Sequence, residues 1–151
     1  MGSKVIADLI ITPLKQIGDE RGAVFHFLKS DSQNYKDFGE AYFSKINGGV
    51  VKGWKYHKIA EQNFCVPFGA VKIVVFDNRP DSPTCGVVQE ILLDDKENYQ
   101  LLSMPACLWY SFKSVSDNYS LLANIINIKH SPEESMTLEL VTNKIPYDWQ
   151  L

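Results

Sequence analysis

Long apolar runs are missing from this chain of 151 residues. No stretch approaches the roughly 18 residues that a membrane-spanning helix needs, so no membrane association is expected. The opening MGSKVIADLI also lacks the long apolar core of a secretory signal, which points to a cytoplasmic protein, and Met1–Gly2–Ser3 reads as partly a cloning remnant. Charge of one sign is equally scarce. Fifteen Lys and Arg stand against eighteen Asp and Glu, giving a net charge of −3 without a basic stripe, so nucleic acid is not an expected partner. Cysteine is sparse, and Cys65, Cys85 and Cys107 form no CxxC pair. They are expected as reduced thiols, buried as small hydrophobes. GxSxG, P-loop and dinucleotide-binding glycine patterns are absent, as are internal repeats, low-complexity tracts and interdomain linkers. One domain over residues 1–151 is expected, long enough to bury a substantial core.

What the chain does have is short runs rich in Val, Ile, Phe and Tyr. They predict strands at 5–11, 23–28, 41–46, 50–56, 63–68, 71–77, 87–93, 100–104, 109–113, 121–128 and 136–141. Turn chemistry separates them at Gly18–Asp19, Gly48–Gly49, Pro67–Gly69, Arg79–Pro83, Asp94–Asp95 and Ser116–Asn118. Only Ser30–Phe38 and Pro132–Ser135 read as short helical turns. Many strands at about ten-residue spacing predict an all-β sandwich or barrel.

The stretch Gly53–Trp54–Lys55–Tyr56–His57–Lys58 carries the most chemistry. Strand side chains alternate faces, so Lys55 and His57 share one and Trp54 and Tyr56 the other. Either Lys55 and His57 line a polar pocket, or they face water while the aromatic pair faces the core. In a pocket, His57 is suited to proton transfer near neutrality, and a neighbouring Lys55 favours the neutral, basic imidazole. Lys55 also suits an enolate oxygen or a phosphate. His26 and His130 stand singly near strand ends and read as structural or solvated.

Several motifs together resemble the dTDP-4-dehydrorhamnose 3,5-epimerase family, cupins acting on nucleotide-linked 4-keto-6-deoxy sugars. Asp19–Glu20–Arg21–Gly22 is similar to its D-x-R-G, and Gly49–His57 to its G-V-L-R-G-L-H-Y-Q. Asp77–Asn78–Arg79 followed by Ser82–Gly86 is similar to D-L-R and S-P-T-F-G. Pro105, Leu122–Glu133 and Tyr147–Asp148–Trp149 extend the likeness, which spans roughly residues 5–149. The resemblance implies a cupin double-stranded β-helix (a jelly-roll barrel), a homodimer, and a nucleotide-linked sugar as ligand in surface polysaccharide biosynthesis.

Carried over by position, the family's catalytic histidine falls on Lys55, its acid tyrosine on Asn124, its substrate-side lysine near Gln62, and the barrel position of its base-orienting aspartate on Ile73. Arg21 matches a family arginine, and Lys52 keeps the charge of the arginine in R-G-L-H; both suit a diphosphate. A second cupin group, the nucleotide-sugar 3,4-ketoisomerases, carries G-x-H-A-H-K and P-P-x-x-W. Gly53–Lys58 and Pro105–Trp109 are similar to these, with His57 at the second histidine. Both likenesses put the Lys55/His57 face inside the barrel and turn Trp54 and Tyr56 outward, under a partner subunit. Metal cupins would need histidines at Lys55 and near Tyr110, so His57 and Glu61 alone are too few ligands, and neither metal nor cofactor is expected. The expected reaction is proton abstraction beside a ketone, giving epimerisation at C3 or C5. His57 is the expected base, Lys55 the oxyanion partner and Tyr110 the proton donor, with Arg21, Lys52, Gln62 and Asn124 as binding residues. The alternatives are a 3,4-ketoisomerase and a non-catalytic sugar-nucleotide-binding homologue.

Overall fold

In a computed structural model, residues 5–150 are described; Met1–Lys4 and Leu151 lie outside them, and with them the expectation about Met1–Ser3. Twelve strands form in the described residues: β1 (Ile10–Pro13), β2 (Gln16–Asp19), β3 (Gly22–Phe25), β4 (Glu40–Ile46), β5 (Val51–His57), β6 (Gln62–Phe68), β7 (Ala70–Phe76), β8 (Val88–Asp94), β9 (Gln100–Met104), β10 (Trp109–Ser114), β11 (Ser120–Ile126) and β12 (Ser135–Thr137). A 3-10 turn at Pro132–Glu134 is the helical element among them. Two five-stranded sheets, ordered β1-β9-β6-β11-β4 and β12-β5-β10-β7-β8, are antiparallel throughout, and β2 and β3 form a separate hairpin. The architecture is the expected all-β jelly-roll barrel.

Alternation explains which face each strand buries. In β8, Gln89, Ile91 and Leu93 point inward while Glu90 and Leu92 face out. Phe64 and Val66 of β6 meet Val71, Ile73 and Val75 of β7, with Leu102 and Leu122, in the core between the sheets. Each such side chain contributes about 1.5–3 kcal/mol through its burial.

Trp54 does turn outward, but its cover is the chain's own C-terminal segment rather than a partner. It is wholly buried with Val74, Phe76 and Ile145, beneath Leu138, Tyr147 and Trp149. Trp149 Nε1 donates to Ser111 Oγ at 2.8 Å, which pins the segment to the second sheet. Of the strand expected at Met136–Val141 only Met136 and Thr137 are therefore in β12, and beyond it the chain leaves the edge to cover that sheet.

Other expectations shift for local reasons. Residues 5–11 pair only from Ile10, because Ile6 and Leu9 are core plugs rather than ladder residues. The plug is tied down through the D-N-R and S-P-T motifs. Buried Asp77 accepts from Arg79, Ser82 and Thr84, while Arg79 Nη2 donates to Ala7 O and the Ala7 amide to Thr84 Oγ1. Gly18–Asp19, read as a separator, belongs to β2. Ser30–Phe38 contains successive turns, closed by Ser32 N to Lys29 O and Tyr35 N to Ser32 O, and no helix. Cys65 is buried as expected; Cys85 is exposed and Cys107 half-buried.

Candidate active site

The ladder between β5 and β10 sets the site. Tyr110 pairs with Lys55, but Phe112 pairs with Lys52, so a bulge places Gly53 and Trp54 opposite Ser111. Two residues against one reverse the side-chain parity. Lys52 and Lys55, an odd number apart, consequently line the same cavity. Gly53 makes this approach feasible: its φ is +150°, and a Cβ there would overlap Ser111.

The cavity measures about 240 Å³. Tyr42 and Ser44 of β4, Phe64 of β6 and Leu122 of β11 form one wall. Lys52 and Lys55 of β5, with Tyr110 and Phe112 of β10, form the other. Among the described residues its charged lining groups are the two lysines, so it favours an anion.

Behind Tyr110 runs a chain of polar side chains. Tyr110 Oη lies 3.3 Å from His57 Nε2 and 3.3 Å from Gln62 Oε1. His57 Nδ1 is 2.7 Å from Glu134 Oε1. Glu134 Oε2 accepts the Ile59 and Ala60 amides at 3.0 and 2.9 Å, so one carboxylate closes the turn after β5 and holds the imidazole. Burial works against charge on Glu134, but His57 and those two amides outweigh it and keep the carboxyl below its ordinary value. A carboxylate at Nδ1 selects the tautomer with its proton there and leaves Nε2 as acceptor. Burial pushes the Tyr110 phenol above its ordinary value, with the charges of Tyr42 and Glu134 adding to the effect and the Gln62 hydrogen bond opposing it.

The sequence-selected residues divide by place. Lys52, Lys55 and Tyr110 line the cavity, whereas His57 stands behind Tyr110. Gln62 and Asn124 are buried side by side, with Asn124 Nδ2 donating to Gln62 Oε1 at 3.0 Å. Arg21 lies apart on the β2–β3 turn, exposed and paired with Asp19 at 2.6 Å. Ile73, expected at the family's barrel-aspartate position, is core. Glu134 was missed. The sequence signal for it was the Ser131–Glu134 motif, which carries two adjacent carboxylates without indicating which one turns inward. Tyr42 was missed because its only signal was alternation within β4.

The sequence profile described as dTDP-4-dehydrorhamnose 3,5-epimerase matches residues 3–151. A probable low-salt glycan biosynthesis epimerase of Haloferax volcanii is 30% identical over 145 residues, 95% of this chain and 89% of the relative. A dTDP sugar isomerase from Desulfovibrio desulfuricans G20 superposes with a TM-score of 0.94 at 36% identity, covering 96% of this chain and 92% of the other. An epimerase of Legionella pneumophila, solved with dTDP-4-keto-L-rhamnose, superposes at 0.83 with 24% identity, over 99% of this chain and 82% of its own, and supports the fold. With the cupin barrel in place and the motifs matched along its length, the chain belongs to the dTDP-4-dehydrorhamnose 3,5-epimerase family.

Proposed function

We propose that the protein epimerises a carbon beside the ketone of a nucleotide-linked 4-keto-6-deoxy sugar, at C3, C5 or both, in the synthesis of a surface polysaccharide. The observation that carries this reading is the Glu134–His57–Tyr110 chain, which ends at a cavity whose charged lining, among the described residues, is the cationic pair Lys52 and Lys55. Lys55 offers its ammonium to the ketone oxygen, where negative charge develops as the neighbouring C–H bond breaks. The Tyr110 oxygen takes that proton while its own passes to His57 Nε2, and Glu134 stabilises the resulting imidazolium. Gln62 holds the Tyr110 hydroxyl between transfers. Lys52 binds the diphosphate. Arg21, carried on the exposed hairpin, is assigned to the diphosphate in a partner copy's cavity. Homodimerisation is supported by the exposed apolar side chains Ile17, Val24 and Phe25 on that hairpin and Phe43 on the edge strand β4.

The test is solvent deuterium incorporation, followed by NMR on a panel of freshly made dTDP- and GDP-linked 4-keto-6-deoxy sugars. Label is expected at C3 or C5, reduced about 10²–10⁴-fold in His57→Asn. A ketone moved to C3 would instead identify a ketoisomerase, and no exchange in any bound sugar a binding protein.

A further inference from the structure

The family's acid tyrosine falls on Asn124, and an amide cannot donate a proton to an enolate. The Asn124 side chain nevertheless faces the barrel interior and meets a phenol on the next strand. In the β4–β11 ladder Asn124 pairs with Tyr42, and Asn124 Nδ2 donates to Tyr42 Oη at 3.0 Å. Tyr42 lines the cavity, and among the described residues nothing accepts its own hydroxyl proton. The Tyr110 hydroxyl, by contrast, is shared between His57 and Gln62. The cavity thus has two phenols on opposing sheets: one backed by an acid–base chain, the other held at its oxygen by Asn124 and, among the described residues, without an acceptor for its proton.

We propose that Tyr42, positioned by Asn124, is the proton donor that acts opposite the Glu134–His57–Tyr110 relay, making the reaction an inversion at carbon. This assignment rests on the reading of the cavity as a 4-keto sugar site. In the step, the Tyr42 O–H bond breaks and a C–H bond forms on the enolate face away from Tyr110. The phenolate left behind is stabilised by the Asn124 amide and is reprotonated from solvent. Burial raises the Tyr42 phenol above its ordinary value while the Asn124 hydrogen bond opposes that rise, so the group is protonated at neutral pH yet supported as an anion. A ketoisomerase moving a proton along one sugar face would have no use for a donor on the far wall.

Tyr42→Phe tests this. The variant keeps the ring and loses a hydroxyl that makes one hydrogen bond, so it is expected to fold. Proton removal and proton return are read separately, as deuterium exchange into recovered substrate and as formation of the epimer. The expected result is exchange within about threefold of the unmodified enzyme, with epimer formation reduced about 10²-fold or more. Epimer formed at the unmodified rate would overturn the assignment, and so would loss of exchange and product together, because removal on the Tyr110 side needs no donor opposite. If the unmodified enzyme exchanges no proton in any sugar of the panel, the functional reading itself fails and the donor falls with it. A ketone shifted to C3 by the unmodified enzyme overturns the inversion.

Discussion

A single carboxylate decides what His57 can do. Glu134 fixes the imidazole from one oxygen and the turn after β5 from the other. Glu134→Gln keeps an acceptor for the amides, but turns a donor toward Nδ1 and so moves the imidazole proton to Nε2, where it blocks transfer from Tyr110. We expect solvent exchange to fall about 10²–10⁴-fold with the fold retained, measured by NMR beside thermal unfolding. Because its carboxyl is held below the ordinary value, Glu134 contributes its full stabilisation above the ordinary carboxylate pKa. That contribution is lost as pH falls through the lowered value, and the Gln variant is expected to lack this acid limb. At this scale the sequence was half legible. His57, Lys55 and Tyr110 stand out by residue type, whereas Glu134 is 77 positions from His57 and only the fold brings the two together.

Among the elements, the β5–β10 pairing carries the most consequence. Simple alternation puts Lys55 and His57 on one face, as expected, but would send Lys52 to the other. The bulge opposite Ser111 returns Lys52 to the cavity, and Gly53 supplies the positive φ and close approach that the bulge requires. Gly53→Ala is expected to destabilise the protein by about 2–4 kcal/mol, through overlap with Ser111 and an unfavoured backbone conformation. It should also weaken nucleotide-sugar binding beyond the stability loss, as Lys52 leaves its wall; urea unfolding and titration calorimetry with dTDP check the two effects. The β4–β11 ladder has the same logic. Its register, Tyr42 against Asn124, puts a phenol beside the position expected to match the family's tyrosine.

At the scale of the whole molecule, two closures make the barrel a site rather than a sandwich. The C-terminal segment seals the outer face of the second sheet over Trp54, and the Asp77–Arg79 clasp holds the segment that plugs the core with Ile6 and Leu9. Burial opposes the Asp77 charge, but Arg79, Ser82 and Thr84 overcome it and hold the carboxyl well below its ordinary range. Its stabilisation is complete above an ordinary aspartate pKa near 4 and drains away as pH falls through the lowered value. Asp77→Asn is therefore expected to cost about 3–5 kcal/mol at pH 7, with the difference from the unmodified protein shrinking below about pH 4. Urea unfolding at pH 7 and pH 3 measures both. The sequence by itself determined the all-β class, most strand positions, the shared face of Lys55 and His57 and the family likeness, because alternation, turn residues and short motifs are local properties of the chain. Only the tertiary structure decided that Glu134 meets His57, that Lys52 joins Lys55, that Tyr42 leans on Asn124, and that Trp54 lies beneath the chain's own end. Those pairings depend on register, a bulge and the path of long connections, and all three are set by packing between residues far apart in sequence.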